Sequence, residues 1–135
     1  MAALTADRLA TTERPGSLYA HPVAAGVTIY KGALVVLDGA GNAAPATTAT
    51  GLTGAGRAEE HVDNVSGAAG DETVGVKRGT FHFANDGTDV IDRTHIGGSA
   101  YAVDDQTVAA TDGTGTRSAV GIIRDVDAGG VWVEI

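Results

Sequence analysis

The sequence predicts an all-β fold: a small β-barrel, β-tulip-like or sandwich, with an extended N-terminal arm. Three observations carry this expectation. From Val23 onward, runs rich in Val, Ile, Thr, Leu and aromatic residues alternate in polarity or stay apolar over strand lengths. Clusters of Gly, Asp and Asn separate them at roughly ten-residue spacing, the rhythm of a small all-β domain. Beyond residue 23 only residues 57–62 carry even a weak helical period.

The elements follow in order. Residues 1–22 form the arm, and residues 23–135 the barrel domain. Leu4 and Leu9, with Asp7, Arg8 and Glu13 between and after them, are compatible with one or two helical turns. Arg14-Pro15-Gly16 would end those turns, because proline lacks the amide donor. His21-Pro22 reads as a second break. Val27-Thr28-Ile29-Tyr30 alternates as a strand, and Ala33-Leu34-Val35-Val36-Leu37 is a continuous apolar strand closed by the turn Asp38-Gly39-Ala40-Gly41-Asn42. Thr73-Val74-Gly75-Val76-Lys77 alternates. Thr80-Phe81-His82-Phe83-Ala84 puts both phenylalanines on one face and His82 on the other. Parity changes between these two runs, so a bulge at Gly79 is expected to turn both pairs to one core. Asn85-Asp86-Gly87 is a turn. Ser99-Ala100-Tyr101-Ala102-Val103 is a strand ending at Asp104-Asp105. The chain closes with a hairpin, residues 119–123 against 131–135, around Asp127-Ala128-Gly129-Gly130. Trp132 and Glu134 face away from Val131, Val133 and Ile135.

The chain also echoes itself. Residues 32–38 resemble residues 98–104, and Gly54-Ala55-Gly56-Arg57 resembles Gly121-Ile122-Ile123-Arg124. Two similar β-units sharing one barrel would produce this pattern.

Composition bounds the function. The chain has 135 residues, six of them aromatic, and Gly, Ala, Thr and Val make up more than half of it. So many small side chains imply a thin core that gains from a partner surface. Seventeen acidic against nine basic residues give a net charge of −8, which argues against nucleic-acid binding. The longest apolar run, residues 33–37, is far below a membrane span, and the segment after Met1 does not read as a signal peptide. Without cysteine there is neither a disulfide framework nor a thiolate metal site.

Catalytic patterns fail one by one. Gly39-Ala40-Gly41-Asn42 follows a strand, but Pro45 and a Thr-rich run follow it, not the helix that a dinucleotide site needs. Residues 51–56 lack the Lys and Ser/Thr of a phosphate loop. No serine sits in a nucleophile elbow. The four histidines lack metal-ligand spacing. Asp86, Asp89 and Asp92 share a polar loop able to offer oxygen to calcium, yet their spacing is not that of an EF-hand. No cofactor is expected and the chain does not read as an enzyme.

The order of strand motifs resembles a known family. Gly-Ala-Leu-Val-Val-Leu-Asp (32–38), Val-Gly-Val-Lys-Arg-Gly-Thr-Phe (74–81), Gly-Gly-Ser-Ala-Tyr-Ala-Val-Asp-Asp (97–105), Ala-Val-Gly-Ile-Ile-Arg (119–124) and the terminal Gly-Gly-Val-Trp-Val-Glu-Ile succeed one another. They are similar to the capsid decoration, or cement, proteins of tailed bacterial and archaeal viruses. Residues 55–70 depart from that pattern as an added loop. The resemblance implies a virion protein, made in the host cytoplasm, that binds the outside of the expanded capsid as a homotrimer. Its partners would be the major capsid protein and itself, with no membrane or nucleic-acid partner. Leu4, Leu9, Leu18 and Tyr19 are then the expected capsid contacts, and Trp132, Tyr101 and His82 the expected protomer contacts. Two rivals remain: another virion β-domain, tail-tube or fibre-associated, and a carbohydrate-binding or adhesion module using the loop at residues 86–92.

Overall fold

The computed structural model describes residues 2–135. Twelve strands follow one another: β1 Leu18–Pro22, β2 Thr28–Ile29, β3 Leu34–Leu37, β4 Ala43–Pro45, β5 Thr53–Ala58, β6 Val62–Asp63, β7 Thr73–Lys77, β8 Thr80–Asn85, β9 Ser99–Ala102, β10 Thr107–Ala109, β11 Ala119–Asp127 and β12 Gly130–Glu134. Among the described residues the single helical element is one 3₁₀ turn, Arg93–His95, capped by Asp92. The all-β expectation holds.

Ten of the twelve strands form two bodies, while β2 and β6 pair as a separate two-stranded ribbon. The second half closes a five-stranded barrel in the order β10-β8-β12-β11-β9, and the first half builds a five-stranded sheet in the order β1-β7-β5-β3-β4. In chain order these are the same topology: β1, β3, β4, β5 and β7 match β8, β9, β10, β11 and β12. The ladders match residue by residue. Val36 pairs with Ala44 and Leu37 with Ala43, as Tyr101 pairs with Ala109 and Ala102 with Val108. Ala58 pairs with Val76 as Ile123 pairs with Val133. Tyr19 pairs with Val76 and His21 with Val74, as Phe81 pairs with Val133 and Phe83 with Val131. Even the irregularities recur, with one extra residue between Gly54 and Gly56 and one between Ala119 and Gly121. In the first unit an isolated parallel bridge, Val23 to Ala43, stands where Asn85 meets Val108 in the closed barrel. The Ala24 N–H donates to Ala43 O and the Asp86 N–H to Val108 O, both at 2.9 Å. The first sheet therefore curls almost shut.

Each unit keeps its own core. Val35, Ala43, Ala55, Ala58, Val74 and Val76 fill the first. Their counterparts Ala100, Val108, Val120, Ile123, Val131 and Val133 lie in the second. The expectation of one shared barrel is thus corrected. So is the shared core at Gly79: Val74 and Val76 belong to one core and Phe83 to the other, and Arg78-Gly79 is the crossover between bodies. The parity change was a change of sheet. The sequence echo was also displaced. Gly32 corresponds to Gly97, with φ of 89° and 92°, and Gly56, not Gly54, corresponds to Gly121.

The units meet through the back of β3. Leu34, Val36 and Ala46 point away from the first core and complete the second. The Leu34 N–H reaches Asp105 O at 2.8 Å. Ser118, buried at the junction, donates to Ala49 O at 2.7 Å and accepts from the Leu52 N–H at 3.0 Å. β5 and β11 touch backbone to backbone at Gly54, where any side chain would run into Val120.

Other sequence expectations shift. Residues 57–62 are not helix: they hold the end of β5, a bend and the start of β6, and residues 55–70 contribute to β5 and β6 rather than forming a loop throughout. Residues 2–17 contain turns and bends but no helix. The arm is shorter than 22 residues, because Leu18–Pro22 is a strand of the first sheet and His21-Pro22 does not break it.

Candidate functional site

The sharpest side-chain constellation sits on the outer face of the second barrel. β12 alternates, so Val131 and Val133 enter the core and Trp132 faces out. His82 stands opposite it on β8. β11 ends at Asp127, and the turn Ala128-Gly129 returns the chain at Gly130. Gly130 has φ of 154°, and a Cβ there would strike the Phe83 carbonyl and crowd the His82 ring at 3.1 Å. Glycine thus lets the turn and the imidazole come together.

Asp127 ties the group together. Its Oδ1 accepts the Gly129 N–H at 2.8 Å and the Gly130 N–H at 3.0 Å, and lies 3.1 Å from His82 Nε2. Its Oδ2 accepts the Trp132 indole N–H at 3.0 Å. The indole donor, then His82, then the Gly129 amide hold its carboxyl down to about 2. The His82 and Trp132 rings lie 4.9 Å apart, tilted by 49°. Trp132 remains 39% exposed while its polar atom is engaged, so one fixed aromatic surface faces solvent.

A cleft of about 400 Å³ opens between this cluster and the first unit. Gly32, Arg57 and Lys77 line its first-unit side, and Thr80, Phe81, His82, Phe83 and Trp132 the other. The Arg57 guanidinium lies 4.5 Å above the Phe81 ring and reaches Glu59 at 3.1 Å. Its Nε is buried without a partner. Arg57 and Lys77 are direct neighbours across β5 and β7.

The expected site residues separate. Leu4 and Leu9 lie on the arm, 71% and 96% exposed. Leu18 and Tyr19 are corrected to strand β1; Leu18 is exposed, and Tyr19 is half-buried between His21 and the Arg14 guanidinium. His82 and Trp132 come together. Tyr101 does not join them: it lies on β9, with β11 between it and β12. The loop carboxylates serve their own chain. Asp86 accepts from Thr88 and the Asp89 N–H, Asp92 from Thr94, and Asp89 from Thr111 and Arg117. Among the described residues no three His, Asp or Glu side chains converge as a metal site. Arg57, Lys77 and Asp127 were not singled out from the sequence. The detectable signal was Asp127 two residues before the glycine pair, a position where a carboxylate caps the turn amides.

Comparison with known proteins brings no match: no family model, no curated protein and no solved structure is similar to this chain.

Proposed function

We propose that the chain is a structural virion protein, a head decoration protein that binds the outside of an expanded capsid and stabilises it. One observation supports this reading above the rest. A folded two-unit body carries an arm whose large apolar side chains, Leu4 and Leu9, touch almost nothing of the body. Exposed leucines on an unpaired segment are suited to burial on another protein. An extended arm without strand partners of its own is suited to adding to a foreign sheet. A protein that binds only the expanded lattice stabilises it by mass action. The net charge of −8 leaves the body soluble and repels stray nucleic acid. The partners are the major capsid protein and further copies of this chain, a trimer being the expected form, and the location is the outer capsid surface.

The test is co-sedimentation with expanded heads of the tailed virus whose genome encodes the chain. The full chain should saturate the heads. A version beginning at Ser17 keeps β1 whole and should stay in the supernatant. Equal binding by that version overturns the role of the arm. No binding by the full chain overturns the proposal.

A further inference from the structure

We propose that the cleft between the two units binds a short saccharide bearing a carboxylate, a uronic acid unit, with Trp132 as the stacking surface and Arg57 and Lys77 as the anion-recognising groups. The proposal is independent of capsid binding.

The cationic half comes first. Arg57 and Lys77 are direct cross-strand neighbours, and like charges so placed are destabilising. Glu59 offsets Arg57, but among the described residues Lys77 has no carboxylate within ion-pair distance. The chain has only two lysines, so placing one of them beside an arginine on an acidic protein concentrates scarce positive charge at the cleft. A bound carboxylate would relieve the repulsion.

The aromatic half is preorganised. The indole N–H is held by Asp127 and the ring is braced by His82, so stacking a sugar on it costs little side-chain entropy. The repeated framework does not require these residues. The place of Trp132 and His82 is taken in the first unit by Gly75 and Ala20. The place of Arg57 and Lys77 is taken in the second by Ile122 and Glu134. The same ladder therefore stands with and without them.

A junction between units, with a rigid aromatic wall and few charged groups, is a usual location for a ligand cleft. An acidic peptide is the weaker candidate, because none of the cleft residues just named presents an open strand edge to pair with its backbone. A long polyanion is disfavoured by the net charge of −8.

Trp132 is the only tryptophan, so its fluorescence reports on the cleft directly. The full chain is titrated with digalacturonate, with its dimethyl ester and with tetraglutamate at low salt. Digalacturonate should change the emission saturably, the uncharged ester should bind about tenfold more weakly, and tetraglutamate should have no effect. Lys77→Gln should weaken digalacturonate about tenfold while its melting temperature stays near that of the parent. Arg57→Lys, which retains the charge but loses the planar fork, should also weaken it. An absent response to digalacturonate overturns the proposal. Equal binding of the ester removes the carboxylate from it, and equal binding of tetraglutamate transfers the cleft to peptides; either result overturns it as stated.

Discussion

Replacing Gly54 with alanine tests how the two units are joined. An alanine Cβ there would overlap the Val120 carbonyl oxygen, with the Val120 carbonyl carbon at 2.8 Å and Cα at 2.9 Å. Carbon atoms rest at about 3.5–4.0 Å, so β5 and β11 must part by about 1 Å. All three clashing atoms are backbone, and no rotamer change relieves them. Overpacking alone costs about 1–3 kcal/mol. Parting the units also loosens Leu34, Val36 and Ala46 in the second core, where a fully buried leucine contributes about 1.5–3 kcal/mol. The expected loss is about 3 kcal/mol, read by urea unfolding, with a fall in Tm of about 10 °C. Gly75→Ala on β7 is the matched control. Its nearest neighbour is Glu60 Oε1 at 3.8 Å, an ordinary contact, and the change should be neutral or stabilise by up to about 1 kcal/mol. If Gly54→Ala unfolds within about 0.5 kcal/mol of the parent, the backbone-to-backbone junction is refuted.

Three further outcomes are expected. The carboxyl of Asp127 is lowered from 3.8 to about 2, so its stabilising bonds are complete above the unfolded value and are lost as pH falls from 3.8 through 2. Trp132 emission should show a transition in that window, and Asp127→Asn should remove it; an unchanged acid transition in the variant would exclude Asp127 as its source. At the loop of residues 86–92, Asp89 already accepts from Thr111 and from Arg117 at 2.8 Å. Asp89→Ala should cost about 2 kcal/mol, because it leaves the half-buried Arg117 guanidinium without a carboxylate, held only by the Thr111 carbonyl. Calcium or a chelator should leave the Tm of the parent unchanged, and a calcium-dependent rise would reverse that assignment.

Most strands were legible because their apolar residues alternate or cluster at strand length, as in β3, β7, β8 and β12. β5 was legible only through the internal echo that set Gly54–Arg57 beside the strand at Gly121–Arg124, since Thr-Gly-Ala-Gly-Arg-Ala carries almost no hydrophobic signal and glycine there serves close backbone approach instead of a turn. The crossover at Gly79 was visible as a parity change, but parity alone cannot distinguish a bulge from a change of sheet. The internal echo was legible only approximately. With glycine and alanine at so many positions, neighbouring registers score alike, and the hydrogen-bond ladders are needed to choose between them. At the candidate site, outward-facing Trp132 and His82 followed from alternation. The approach of Arg57 and Lys77 did not, because it depends on how the units sit against each other.

The matching ladders carry a consequence for how the chain finds its fold. Backbone pairing cannot distinguish the two units, since β7 and β12 offer their neighbours the same register. Only side-chain volume can. Ala55 and Ala58 line the first core where Val120 and Ile123 line the second. A strand exchanged between units would overfill one interior and leave a void in the other. The graded bulk of those positions thus helps to sort the strands, and substitutions that make the two interiors alike should yield strand-exchanged, entangled chains on refolding before they reduce the stability of the correctly sorted fold.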